Sequence, residues 1–192
     1  MLSGLSLMPT TGSVNPVWGE QHWKSSFSHD GEIVQPGYHR VYLQDYGIWV
    51  EQTATERVSY YRLRYTKDDT SNLLLSLGGY LATTTMNDCR VAKVSNTEIE
   101  GSVNTTGRFW GGPDNVRIFF VMKFDKPFQG LDGWDDKEIL KNITSHRGVD
   151  QKTARNENES YYDAPPCGIS ARYDVKAGDE IVEPSGHVHV VF

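Results

Sequence analysis

Apolar and polar residues alternate along much of the chain with a period of two, the repeat of a strand buried on one face. In residues 60–65, Tyr61, Leu63 and Tyr65 share one side, and Arg62 and Arg64 the other. Residues 116–124 set Ile118, Phe120, Met122 and Phe124 against Arg117 and Lys123. Phe119 and Val121 make part of the second face apolar, the pattern of a central strand. Leu73, Leu75 and Leu77 mark another strand before Gly78-Gly79, Ile169, Ala171, Tyr173 and Val175 one more, and Val188, Val190 and Phe192 a last. Turn chemistry separates these runs: Asp30-Gly31, Asp45-Tyr46-Gly47, 111–115, and Lys176-Ala177-Gly178-Asp179, which reads as a hairpin. Many short strands with frequent turns predict an all-β fold, an antiparallel β-sandwich, as a single domain over residues 1–192.

One segment breaks the pattern. Residues 134–144 predict one short helix: Asp135, Asp136 and Glu138 open it, Lys141 lies near its end, and Ile139, Leu140 and Ile143 form its apolar stripe. The polar residues 146–160 after it read as loop. Both ends are abrupt: residues 5–9 read as strand directly after the start, and strand character runs to Phe192. The expectation is a domain truncated at both ends.

Composition narrows the partners. The 192 residues carry a net charge of −6, which disfavours nucleic acid and anionic membrane surfaces. No apolar run approaches the ~20 residues of a membrane-spanning helix, and the first residues lack the pattern of a signal peptide. Cys89 and Cys167 form no metal-ligand spacing. They read equally as one disulfide or as two buried thiols.

Candidate chemistry is sparse. A nucleophile elbow, a P-loop, a dinucleotide fingerprint and a zinc-protease motif are all absent. His187 and His189 share a strand face, but no third ligand has a clear spacing, so no metal site is expected. Asp132, Asp135 and Asp136 cluster, as do Glu98 and Glu100. Acidic residues at a helix start or in a polar loop account for them without a catalytic pair. The densest group of functional side chains is Trp18, His22, Trp23, His29 and Glu32. Indoles stack on sugar rings while neighbouring polar groups bind hydroxyls, so Trp18, Trp23, His29 and Glu32 are the candidate substrate-binding residues. The alternative is that these tryptophans seal a sandwich edge.

Four blocks in order then carry a resemblance. They are Leu7-Met8-Pro9-Thr10-Thr11-Gly12; Phe27-Ser28-His29 with Glu32 and Pro36-Gly37-Tyr38; Thr53-Ala54-Thr55-Glu56-Arg57-Val58; and Phe124-Asp125-Lys126-Pro127-Phe128. Together they resemble the N-terminal domain of glycoside hydrolase family 92, the exo-acting α-mannosidases. The chain departs from the family pattern at His39, where members carry a second Tyr, at Gln52, where they carry Leu, and at Ser59-Tyr60-Tyr61, where they carry Gly-x-His. The resemblance implies a galactose-mutarotase-like sandwich that packs on a helical (α/α)6 catalytic domain in the same parent chain. It implies hydrolysis of mannose-containing glycans with inversion, dependent on calcium. The acid, the base and the calcium ligands lie in the helical domain, so no catalytic residue is assigned to this chain. A secreted or periplasmic parent enzyme would fit the family. A free-standing carbohydrate-binding module is the alternative function.

Overall fold

The structure, a computed structural model, describes residues 5–56, 58–81, 84–106, 115–148 and 167–182. In chain order the strands are β1 (Ser6–Thr11), β2 (Ile33–Gln35), β3 (Tyr38–Leu43), β4 (Ile48–Ala54), β5 (Ser59–Tyr65), β6 (Asp69–Ser76), β7 (Gly79–Leu81) and β8 (Thr84–Ser95). They continue with β9 (Glu98–Thr106), β10 (Asn115–Lys123), β11 (Gly130–Trp134), β12 (Ile139–Leu140), β13 (Ser145–Arg147), β14 (Gly168–Val175) and β15 (Glu180–Val182). Between β1 and β2 lie two single-turn 3₁₀ helices, Pro16–Trp18 and Glu20–His22.

Among the described residues all pairings are antiparallel and form three sheets. The central sheet runs β1-β6-β14-β11-β12. A second runs β10-β9-β8-β13, with β7 on β8, and a third runs β15-β5-β4-β3-β2. The main core lies between them. Ile48, Leu63 and Tyr65 come from the third sheet, Leu73, Leu75, Ile169 and Tyr173 from the central one, and Val91, Ile99, Ile118 and Phe120 from the second. Alternation explains this choice. Leu73 and Leu75 point into the core, while Leu74 between them points to the opposite face of the central sheet. There it meets Trp134, and Trp23 covers both. The central sheet is therefore buried on two faces, and the 3₁₀ segment before Trp23 exists to close the second.

The antiparallel β-sandwich predicted from alternation is the fold observed, and β5, β6, β10 and β14 fall where the pattern placed them. Three local expectations are corrected. Residues 134–144 are not a helix: β11 and β12 form a hairpin in which Trp134 faces Ile139. Asp135 Oδ1 accepts from the backbone N–H of Lys137 and Glu138, at 2.8 and 3.0 Å. That is the local bond of a helix N-cap, used here to turn a strand back. His146 is not in a loop but in β13, paired with Val91 of β8. The turn at 176–179 forms, with Gly178 at φ 89° and Asp179 N–H on Lys176 O, but it joins two sheets rather than a hairpin. β14 pairs with β6, whereas β15 pairs with β5. His187, His189 and the strand expected at 188–192 lie outside the described residues.

Candidate functional site

The blocks around residues 16–39 fold into one end of the third sheet and the cover of the central sheet. Pro36 and Gly37 make the tight turn between β2 and β3. Gly37 has φ 76°, a conformation that disfavours a side chain, and proline before it presets the turn. The turn places Val34 opposite His39. It also brings Glu32, just before β2, against β3, where Glu32 Oε1 meets His39 Nε2 at 2.9 Å. Its other oxygen meets His29 Nδ1 at 2.5 Å. The Glu32 side chain is 17% exposed and that of His29 84%. The bond from His39 first, and that from His29 second, holds the Glu32 carboxyl below its ordinary range. This is an anionic group fixed from two sides at the protein surface.

The loop leading to it is tied down at its start. Asp45 accepts from Ser26 N–H at 2.7 Å, and the Ser26 carbonyl accepts from Gln44 N–H at 3.0 Å. Tyr46 Oη donates to the Trp23 carbonyl at 2.9 Å. At the loop's far end Gly31 lies against the Trp49 indole, which itself packs against Tyr42 at a 39° tilt and lies 4.8 Å under the Arg40 guanidinium.

The four candidate residues separate. His29 and Glu32 touch. Trp18 is 67% exposed, edge-on to His22 with ring centroids 5.6 Å apart, so it offers a free indole face. Trp23 is 5% exposed and packed among Leu74 and Trp134; its ring presents no surface to a ligand. Asp132, from the acidic cluster, is buried in β11 and engaged by Lys141, Arg172 and the Asn142 N–H.

Sequence reading alone overlooked His39 as a functional group, although its departure from the family pattern marked the position. It also overlooked a neighbouring cleft. The inward row of the third sheet runs Tyr65-Ile48-Leu43, then Leu63-Val50-Val41, and ends in the polar row Tyr61-Gln52-His39. Gln52 Nε2 donates to Tyr61 Oη at 3.0 Å. On the opposite, outward face of the same strands a cleft of about 270 Å³ is lined chiefly by Tyr38, Glu51, Thr53, Tyr60, Arg62 and Val182. Aromatic rings, a carboxylate and a guanidinium converge there, a surface suited to a polyhydroxylated ligand, whereas the Glu32 clamp lies on the inward side through His39.

With this geometry in place, the comparisons identify the family. The model of the Glycosyl hydrolase family 92 N-terminal domain matches residues 1–183. The chain belongs to this family. Among solved structures, the family 92 α-mannosidase BT3965 of Bacteroides thetaiotaomicron, in complex with mannoimidazole, is 24% identical with a TM-score of 0.71, over 93% of this chain and 22% of that one. The inverting mannosidase BT2199 of the same species is 16% identical with a TM-score of 0.66, over 93% and 20%. The family 92 glycosyl hydrolase ccman5 is 21% identical with a TM-score of 0.68, over 93% and 22%. At these identities the likeness establishes the fold, and the chain spans about a fifth of each of these enzymes. No curated protein matches the chain. The family 92 sandwich contributes no cluster of carboxylates at its Glu32 end among the described residues: its one group of three metal-competent side chains is Cys89, His146 and Cys167, far from Glu32 in the sheet order.

Proposed function

We propose that this family 92 domain is the sugar-facing β-sandwich of an inverting α-mannosidase, packed on a helical catalytic domain and supplying one wall of the mannose pocket. The observation that carries the reading is the Glu32 carboxylate, held by His29 and His39 at the protein surface. A carboxylate with fixed oxygens accepts hydrogen bonds from sugar hydroxyls at little ordering cost. Trp18, exposed nearby in sequence, supplies a stacking face. Calcium, which the family resemblance implies, does not suit the residues described. It requires six to eight oxygen ligands, whereas the only three-residue cluster here is two thiols and an imidazole. No step is assigned to calcium in this domain; its ligands are proposed to come from the catalytic domain.

Two measurements test the reading. The 192-residue chain alone, assayed on α-1,2-mannobiose with calcium present, should release no mannose, and measurable release would refute the division of labour. In the whole enzyme Glu32→Gln should lower kcat/KM for α-mannosides about tenfold, the loss of one charge-assisted hydrogen bond. An unchanged value would remove Glu32 from the pocket.

The exposed indole of Trp18 favours a second reading, a free-standing carbohydrate-binding module. It predicts saturable calorimetric binding of mannose oligosaccharides by the isolated chain, abolished by Trp18→Ala. Trp23→Ala is unsuitable as the probe because that ring belongs to the core.

A further inference from the structure

Cys89 and Cys167, 78 positions apart, meet in the core with their sulfurs 2.8 Å from each other. The meeting depends on backbone irregularity. Between Asn87 and Arg90 β8 carries one residue more than β9, a bulge in which Asp88 takes φ 42°. Three arginines, Arg117, Arg90 and Arg147, engage the Asp88 carboxylate and hold the bulge. The bulge turns Cys89 inward toward Cys167, the residue just before β14. Gly148 completes the seat: its N–H donates to Cys89 O at 3.0 Å and to Cys89 Sγ at 3.1 Å. A side chain at 148 would overlap both sulfurs.

Three uses of such a pair are open: a soft-metal site with His146, two inert thiols, or a disulfide. The metal fits poorly. Two thiolates on one tetrahedral zinc ion, each bonded at about 2.3 Å, sit roughly 3.8 Å apart, well beyond the spacing here. His146 Nε2, the atom 3.8 Å from Cys167 Sγ, already donates to the Trp134 carbonyl at 3.0 Å. The inert pair leaves unexplained a bulge, three arginines and a glycine that all serve to bring two sulfurs together.

We propose that Cys89 and Cys167 form a disulfide that staples the second sheet to the central sheet, made by thiol–disulfide exchange with a disulfide donor while the chain folds. The Cys89 thiolate attacks one sulfur of the donor, forming a mixed disulfide and expelling one donor thiolate. The Cys167 thiolate then attacks the Cys89 sulfur and expels the second. Two protein thiols are oxidised, the donor disulfide is reduced to two thiols, and the two protein protons end on them. The same two steps balance with the two cysteines exchanged. Both sulfurs are buried in the folded protein, so exchange belongs to the folding chain.

The test is refolding of the 192-residue chain with oxidised and reduced glutathione, using glutathione itself as the donor. The expected product has an intact mass lower by two hydrogens and a peptide pair joined at Cys89 and Cys167. Closing so long a loop raises Tm by roughly 5–15 °C relative to protein held in dithiothreitol. The paired variant C89A/C167A should show no dependence of Tm on reductant, and the wild-type comparison stands even if that variant folds poorly. Two titratable thiols after oxidative refolding, with Tm indifferent to reductant, would overturn the proposal. So would retention of one Zn²⁺ per chain through those thiols after purification in its presence.

Discussion

Removing the Asp132 carboxylate should destabilise the fold by about 3–4 kcal/mol, and the figure follows from what each partner can do without it. The side chain is 3% exposed in β11. Oδ1 accepts from the Asn142 N–H at 2.9 Å, and Oδ2 meets Lys141 Nζ at 2.8 Å and Arg172 Nε at 2.9 Å. In Asp132→Ala the Asn142 N–H loses a charged acceptor, a loss of roughly 1.5–3 kcal/mol. The cations suffer less. Lys141 is 63% exposed and Arg172 29%, so both can turn to water. Each pair contributes about 0.5–1 kcal/mol. The sum sits at the low end of the 3–5 kcal/mol usual for breaking a buried pair. In urea, with a slope of about 2–3 kcal/mol/M, the midpoint falls by about 1–2 M. By calorimetry Tm falls by roughly 6–15 °C. Asp132→Asn keeps an oxygen for the Asn142 N–H and loses the two ion pairs, so it should cost about half as much. A cost under about 1 kcal/mol for Asp132→Ala would show that the carboxylate is not what joins β11 to the 141–142 segment. The same result would reopen a chemical role for Asp132.

Two further outcomes concern titration. The Glu32 carboxyl should titrate below the ordinary glutamate range in a carbon-detected NMR pH series, because His39 and His29 bond its charged form. A depressed folded pKa means that the ordering of the 27–32 loop persists above the unfolded value near ~4.3 and is lost as pH falls through the folded one. Replacing His39 by the Tyr of the family pattern should move that midpoint upward, and an unmoved midpoint would contradict the clamp. Burial pushes the Tyr65 phenol up to about 12, against the opposing hydrogen bond between its hydroxyl and Ser71 Oγ at 2.7 Å. The folded state then holds its proton where the unfolded state releases it, so its contribution to stability is full below about pH 10 and fades as pH rises toward 12. Alkaline absorbance titration against Tyr65→Phe isolates this one phenol. A Tyr65 signal in step with the exposed tyrosines would contradict its burial.

How much of this was legible beforehand depended on whether the signal was local. β5, β6, β10 and β14 were readable because each carries an unbroken inward row of apolar residues at every second position. β8 and β9 were not. Their faces mix Thr, Asn, Ser and Glu, and the bulge at Asp88 shifts the period by one residue in mid-strand. The hairpin at 134–140 was read as a helix because a carboxylate bonded to the amides two and three residues on begins either structure. What decides is a partner strand, here β14 beside β11.

The candidate site divides along the same line. His29 and Glu32 stand three apart on one turn, so their contact was recoverable from spacing. His39 joins them only through the Pro36-Gly37 reversal and the pairing of β2 with β3. Trp18 and Trp23 lie five residues apart in the same polar surroundings, and nothing local tells them apart. The difference is set far away, by Leu74 and Trp134 on the back of the central sheet, which need an apolar cover about one indole wide. Trp23 fills that need and is thereby withdrawn from any ligand, leaving Trp18 as the free ring. A residue's availability for binding is therefore a property of the face that is left uncovered after the core is complete. That is why the functional end of this domain is best sought where the inward row of the third sheet turns from Leu63, Val50 and Val41 to Tyr61, Gln52 and His39. There the core runs out, and the same inward row carries polar groups in place of apolar ones.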